Sequence, residues 1–221
     1  MKEKWVTFDC FGTLMDWQTG FRQALASVAG EKTDALVAAY HAEEPGTQDA
    51  APTRPYREVL KRTLQRAAEM IDLTLTDAEA DILALTWADM PIFPDTKASL
   101  DQLHADGWKV AILTNCDNEL FAKTQAVFPV KLDMVVTSQE VGSYKPSLGH
   151  FHEFAKRSGV ERDRWVHAAV SWYHDMKAAE VLGLKRVWVD REDTGQDPSI
   201  CTAHIHDMAS LPATLRAFHV I

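Results

Sequence analysis

The stretch KWVTFDCFGTL, residues 4–14, decides how the rest of the chain is read. Its first half is a short apolar run rich in β-branched and aromatic residues, which predicts a strand. The run delivers Asp9, and the chain then bends through Gly12 and Thr13. Four more such runs follow: WKVAILTN (108–115), LDMVVTS (132–138), RWVHAAVS (164–171) and KRVWVDR (185–191). Most are apolar at consecutive positions, which suits strands covered on both faces. Helical patterns occupy 95–106, 118–127, 147–158, 175–182 and 207–218. Strands alternating with helices predict an α/β fold around a parallel sheet with right-handed crossovers.

One interval breaks the alternation. Residues 16–93 contain no convincing strand but four helical stretches, at 19–29, 32–43, 55–71 and 77–89. In 55–71, Tyr56, Leu60, Thr63, Leu64, Ala67 and Ile71 form an apolar stripe at helical spacing, with Arg54, Arg57 and Lys61 on an adjoining face. Thr76 and Glu79 read as a capping box, and EEPGTQDAAPTRP (43–55) as a Pro/Gly-rich loop. The block therefore reads as a helical cap over residues 16–93, inserted into an α/β core of residues 1–15 and 94–221. A lid hinged just past the first strand can close over the carboxyl ends of the strands, where open α/β sheets bind ligands.

The 221 residues carry a net charge of −9, which argues against a sequence-independent nucleic-acid binder. An anionic substrate would need locally gathered basic residues. Cys10, Cys116 and Cys201 show no CxxC spacing, which fits a reducing compartment better than a disulfide framework. No apolar run approaches the roughly 20 residues that span a bilayer. The opening MKEKWVTFD lacks a signal-peptide core, so a cytoplasmic protein without membrane contact is expected.

The residues just past each strand are polar and reactive. Asp9, Gly12 and Thr13 follow the first, and Thr114 and Asn115 the second. Ser143 and Lys145 lie beyond the third, and Ser171, Trp172, His174 and Asp175 follow the fourth. On one crevice, Asp9 could serve as a carboxylate nucleophile, forming and then losing an ester. Lys145 would keep it ionised. Amides of the turn Phe11–Thr13 and the Asn115 side chain could bond charged substrate oxygens. Asp175, beside His174, could orient or deprotonate the attacking water.

In this order, and with a helical insertion after the first, FDCFGTL, ILTN, SYKP and SWYHD resemble the four motifs of the haloacid dehalogenase superfamily. The form Asp-x-Phe-Gly-Thr-Leu is similar to its 2-haloacid dehalogenase branch. The resemblance implies a Rossmann-like core with a small helical cap, an aspartyl-ester intermediate on Asp9, and no metal requirement. It also implies a small anionic substrate, a short 2-haloacid whose carboxylate is held by Thr13, the turn amides and Thr114 or Ser171. In the phosphatase branch the residue at the Phe11 position is an aspartate that protonates the leaving oxygen. Phenylalanine cannot do so, and a leaving halide needs no proton. A Mg²⁺-dependent phosphatase, with Asp9 and Asp175 on the ion, is the runner-up, and a catalytically silent relative is a third reading. Dimerisation is common in such folds, so a homodimer is left open.

Three positions depart from the branch. No arginine follows Tyr40, where the branch usually places its halide cradle. His41 does that task, or Arg54 or Arg57 reaches in from the next helix, or the halide site is lost; a solvated helix face is the plainer reading of the arginines. Trp172 stands where an asparagine is usual, making a pocket wall of indole and imidazole donors with His174, or packing under the lid. Phe151 replaces a tyrosine of some relatives. His204 and His206 resemble a metal pair but lack further ligands at zinc spacing, so a surface loop is expected there.

Overall fold

The computed structural model describes residues 2–51 and 53–218. Met1, Pro52 and residues 219–221, which fall in the expected core, loop and cap spans, lie outside the described residues. The five expected strands form as β1 (Lys4–Phe8), β2 (Trp108–Thr114), β3 (Met134–Thr137), β4 (Trp165–Ala169) and β5 (Lys185–Val189). A sixth, β6 (Ala203–Ile205), adds to the edge where a surface loop was expected. All pairings are parallel, in the order β3-β2-β1-β4-β5-β6. This is the doubly wound order, whose switch point lies at the carboxyl ends of β1 and β4. Asp9 and Ser171 follow those two ends.

Alternate residues of β1 enter different cores, which explains its unbroken apolarity. Val6 and Phe8 join one buried cluster, whereas Trp5 packs in a second with Phe154 and Trp165. Among the described residues ten α-helices accompany the sheet. In the insertion these are α1 (Trp17–Ala29), α2 (Thr33–Asp49), α3 (Tyr56–Met70) and the single turn α4 (Ile82–Leu85). In the core they are α5 (Thr96–Ala105), α6 (Asn118–Val127), α7 (Ser138–Val141), α8 (Gly149–Ser158), α9 (Lys177–Val181) and α10 (Leu211–Ala217).

The insertion is helical and sits between β1 and β2. Its α3 buries Tyr56, Leu60, Thr63, Leu64 and Ala67, the expected stripe, while Lys61 turns outward to Asp77 at 2.8 Å and Asp81 at 2.9 Å. The Thr76–Glu79 capping box forms, with Thr76 N–H donating to Glu79 at 2.7 Å. Two local expectations fail. Helix α2 runs through Pro45 to Asp49, so the first part of the expected loop is helical. Residues 79–89 form a broken run of 3₁₀ and α turns, not one helix. The two connections to the core pair with each other, Asp16 N–H donating to Pro91 O at 2.8 Å and Phe93 N–H to Leu14 O at 3.1 Å. Asp117, from the core, accepts the Tyr56 and Arg57 amides at 2.7 and 2.8 Å and so caps α3 across the junction.

Candidate active site

The sharp bend after β1 explains Gly12. Its φ is +94°, and a Cβ there would lie 3.0 Å from Val170 Cγ1 and 3.3 Å from the Trp17 indole. The bend is held from behind by Arg191, just past β5. Its guanidinium donates to Thr13 O at 2.9 and 3.1 Å while gripping Asp95 through paired bonds of 2.9 and 3.1 Å. Sequence reading did not single out Arg191.

Three charged side chains meet above this bend. Lys145 Nζ donates to Asp9 Oδ1 at 2.9 Å and to Asp175 Oδ1 at 2.8 Å. The lysine side chain is 1% exposed, Asp175 fully buried, and Asp9 13% exposed towards a cavity of about 490 Å³. Burial alone would raise the Asp175 carboxyl, but the Lys145 ammonium and the His167 ring hold it well below the usual carboxylate range. Burial raises Asp9 above its ordinary value against the pull of Lys145, and the neighbouring Asp175 charge adds to the rise. The ammonium, although burial disfavours it, is held above its ordinary value by Asp175 and Asp9. Asp175 Oδ2 is buried without a hydrogen-bond partner among the described residues.

A second residue not anticipated from sequence completes this group. His167, buried on β4, places Nε2 2.9 Å from Asp175 Oδ1, and its Nδ1 lies 2.9 Å from Thr7 Oγ. Thr7 in turn accepts the Trp165 indole N–H at 2.8 Å. Against the ionised carboxylate His167 Nε2–H is the donor to Asp175, while the Thr7 hydroxyl sits between Nδ1 and Val166 O, 3.4 Å away. A histidine inside an apolar strand run reads as core, which is why it gave no signal.

The other expected site residues divide into three groups. Phe11, His41, Thr114, Ser171, Trp172 and His174 line the cavity with Asp9. His41 stacks on Trp17 with centroids 5.1 Å apart. Trp172 faces the cavity and packs edge-on against Trp188 of β5 at 4.9 Å, a core contact and not one with the lid. It opens a π-helical turn, Trp172–Met176, in which Met176 N–H reaches Ser171 O at 3.2 Å; this wide turn begins before the expected helix start and presents Asp175. Ser171 caps it, accepting His174 N–H at 3.1 Å, and burial lowers the His174 imidazole below its ordinary value.

A second group supports the site through hydrogen bonds already made within the protein. Thr13 is fully buried, donates to Asp9 Oδ2 at 3.3 Å and accepts Val170 N–H at 2.9 Å. It holds the Asp9 carboxylate and is not open to a substrate carboxylate. The Gly12 amide is taken by Met15 O at 2.7 Å, so it is not a free oxyanion donor. Asn115 lines the cavity but uses its amide on the Lys145 loop, accepting Lys145 N–H at 2.7 Å and donating to Lys145 O at 3.2 Å and Gln48 at 3.3 Å.

A third group is elsewhere. Arg57 pairs with Glu119 at 3.6 Å in a separate surface groove that Arg54 also lines, and neither lines the cavity over Asp9. Phe151 is buried edge-on to His167 at 4.9 Å. His204 and His206 lie on and beside β6 with Asp190, within 4.8 Å of one another. His204 bonds Asp190 at 3.1 Å, an acidic neighbour the sequence spacing hid.

A cavity-facing carboxylate beside a buried ammonium, at the switch point of a doubly wound sheet and under inserted helices, is an arrangement suited to hydrolysis. Residues 3–183 match the haloacid dehalogenase-like hydrolases, and the chain belongs to that family. In fold it is similar to an L-2-haloacid dehalogenase, with a TM-score of 0.87, 21% identity, and coverage of 98% of this chain and 100% of that one. A similar likeness holds to the L-2-haloacid dehalogenase of Xanthobacter autotrophicus with chloropropionic acid covalently bound: TM-score 0.84, 16% identity, 97% and 98% coverage. In sequence it is 28% identical over 169 residues to the phosphoserine phosphatase of Thermus thermophilus, 75% of this chain and 66% of that protein. It is 27% identical over 106 residues to the glyceraldehyde 3-phosphate phosphatase of Methanothermobacter thermautotrophicus, 46% of each. These matches span less than two thirds of either relative's length. Among the described residues no helix is long and apolar enough to cross a membrane.

A divalent cation, if the family's metal chemistry operates here, would be held by Asp9 and Asp175. The unpartnered Asp175 Oδ2 fits that role, since Mg²⁺ asks for only one or two protein carboxylates. It would supply charge neutralisation for a phosphate group.

Proposed function

We propose that the chain hydrolyses the carbon–halogen bond of a small 2-haloacid through an ester on Asp9. In the first step an Asp9 carboxylate oxygen attacks C2 and the halide leaves with the bonding pair. Asp9 Oδ2, bonded only by Thr13 at 3.3 Å among the described residues, is the freer of the two oxygens. In the second step water attacks the Asp9 carboxyl carbon and passes one proton to Asp175. The bond from that carbon to the ester oxygen breaks, and the departing alkoxide takes the proton back from Asp175. The 2-hydroxy acid leaves with Asp9 restored as carboxylate and the water's second proton released. Lys145 keeps the nucleophile charged, and His167 fixes Asp175 so that Oδ2 is left for the water.

The observation that carries this reading is Phe11. It stands two residues past the nucleophile and packs edge-on to Trp87 at 4.6 Å, so the place of a proton donor is apolar wall. A halide leaves without a proton, whereas an alkoxide does not. No arginine is among the described residues that line the cavity; the donors there for halide or carboxylate include His41, His174, Ser171, Tyr173, Gln196 and the Trp172 indole.

A second reading, a Mg²⁺-dependent phosphatase, is favoured by the phosphatase relatives and by the free Asp175 oxygen. One experiment separates the two. Halide release from chloro-, bromo- and fluoro-acids is measured in EDTA, beside phosphate release from phosphoesters with Mg²⁺. Halide in EDTA supports the proposal; phosphate that depends on Mg²⁺, with no halide from any acid, replaces it.

A further inference from the structure

The cavity over Asp9 is too large and too aromatic for the smallest haloacids. An acid of about six heavy atoms fills on the order of 150 Å³, scaling from about 30 Å³ per water. The cavity is about 490 Å³. Its wall includes the rings of Phe11, Trp17, Phe21, Tyr56, Trp87 and Trp172. Two of these rings have their polar tips already bonded. The Trp87 indole N–H donates to Thr124 at 3.1 Å, and the Tyr56 hydroxyl to Glu44 at 2.5 Å. Trp87 is also edge-on to Tyr56 at 5.8 Å. Such a surface gains most by covering with another apolar body.

Charge narrows the choice further. The lysine of the cavity already serves two carboxylates, and Glu44 and Glu192 bring the acidic groups lining it to four. Glu44 faces the cavity from α2, with Oε1 bonded by Tyr56 and by Gln48 at 3.2 Å. Among the described lining residues no lysine or arginine is left for the ligand. Its first carboxylate must be met by hydrogen-bond donors such as His41 and His174, and a second acidic group would meet Glu44 unbalanced.

We propose that the site takes a monoanionic acid whose C2 bears an aromatic or branched apolar group lodged against Phe11, Tyr56 and Trp87, with Glu44 rejecting di-acids. The chemistry at C2 rests on the reading above; the shape and charge preference does not.

The test has a binding arm and a turnover arm on the full chain. Binding of the unreactive acids propionate, hexanoate, 3-phenylpropionate and phenylsuccinate is measured by calorimetry. The expected result is a Kd falling roughly four-fold per buried methylene, 3-phenylpropionate at least 100-fold tighter than propionate, and phenylsuccinate weaker than 3-phenylpropionate. Glu44→Gln should narrow that last gap. A Kd flat or rising with size overturns the proposal, as does equal binding of the di-acid. In the turnover arm, kcat/KM for the matching 2-bromo acids should rise in the same order. If binding follows the series and no member releases bromide, the dehalogenation reading fails while the pocket preference stands. Bromide release that is fastest from the smallest acid does the reverse.

Discussion

Asp9 and Asp175 lie at nearly equal distances from one ammonium, yet their replacement by asparagine should move stability in opposite directions. Asp175 is fully buried and bonded by both Lys145 and His167, and its carboxyl is held well below the usual range. A depressed folded-state value contributes stability above the unfolded carboxylate value, lost only as pH falls through the folded one. Removing one partner of a buried charge pair costs about 3–5 kcal/mol. At about 2–4 °C per kcal/mol for a chain of this size, Asp175→Asn should lower Tm by roughly 6–20 °C at pH 7. Asp9 is raised by burial, so its ionised form subtracts from stability above the unfolded value. Asp9→Asn removes that charge, and its Tm should equal or exceed that of the wild type while turnover is abolished. The advantage should vanish below about pH 3.9, where the unfolded carboxylate is protonated. Scanning calorimetry of the three proteins at pH 7 and pH 3.5 reads all of this. If Asp9→Asn is destabilised as much as Asp175→Asn, the division of roles between the two carboxylates is wrong.

Because Asp9 attacks only when ionised, kcat/KM should fall with decreasing pH along a limb lying above the ordinary carboxylate value of 3.8; a rate unchanged down to that value would contradict the assignment. His167→Phe should cost about 1.5–3 kcal/mol of stability and slow the second step, so that mass spectrometry finds an Asp9 adduct accumulating; wild-type rates with no adduct would return His167 to a packing role. Gly12→Ala should cost at least about 1 kcal/mol, given the positive φ and the 3.0 Å approach of Val170, and lower kcat by moving Asp9; a urea midpoint equal to wild type would show that the bend relaxes freely.

The core was legible because its strands are buried on both faces and therefore run apolar, and because reactive residues follow four of them in order. The strand β6 was not, since three residues ending at Ile205, with exposed His204 between, carry no run to detect. Pro45 suggested a loop, but a proline inside α2 removes only the bond to His41 O, and packing against α3 carries the helix onward. Arg57 looked available from its helix face alone. What the sequence could not give is that Asp117 fixes the start of α3 from the core, which leaves Arg57 beside Glu119 and outside the cavity. His167 and Arg191 were hidden for opposite reasons. The first lies within a strand that reads as core, and the second acts on a backbone carbonyl that no motif marks.

The central claim is that Asp9 forms a covalent ester. Its most direct test is a single turnover in ¹⁸O-water, with enzyme in excess over a 2-bromo acid, followed by mass spectrometry of product and of the peptide containing Asp9. The account predicts unlabelled 2-hydroxy acid from that first turnover and one ¹⁸O in the Asp9 carboxylate. Label in the product and none in Asp9 would mean that water attacks C2 directly, and the ester would be excluded.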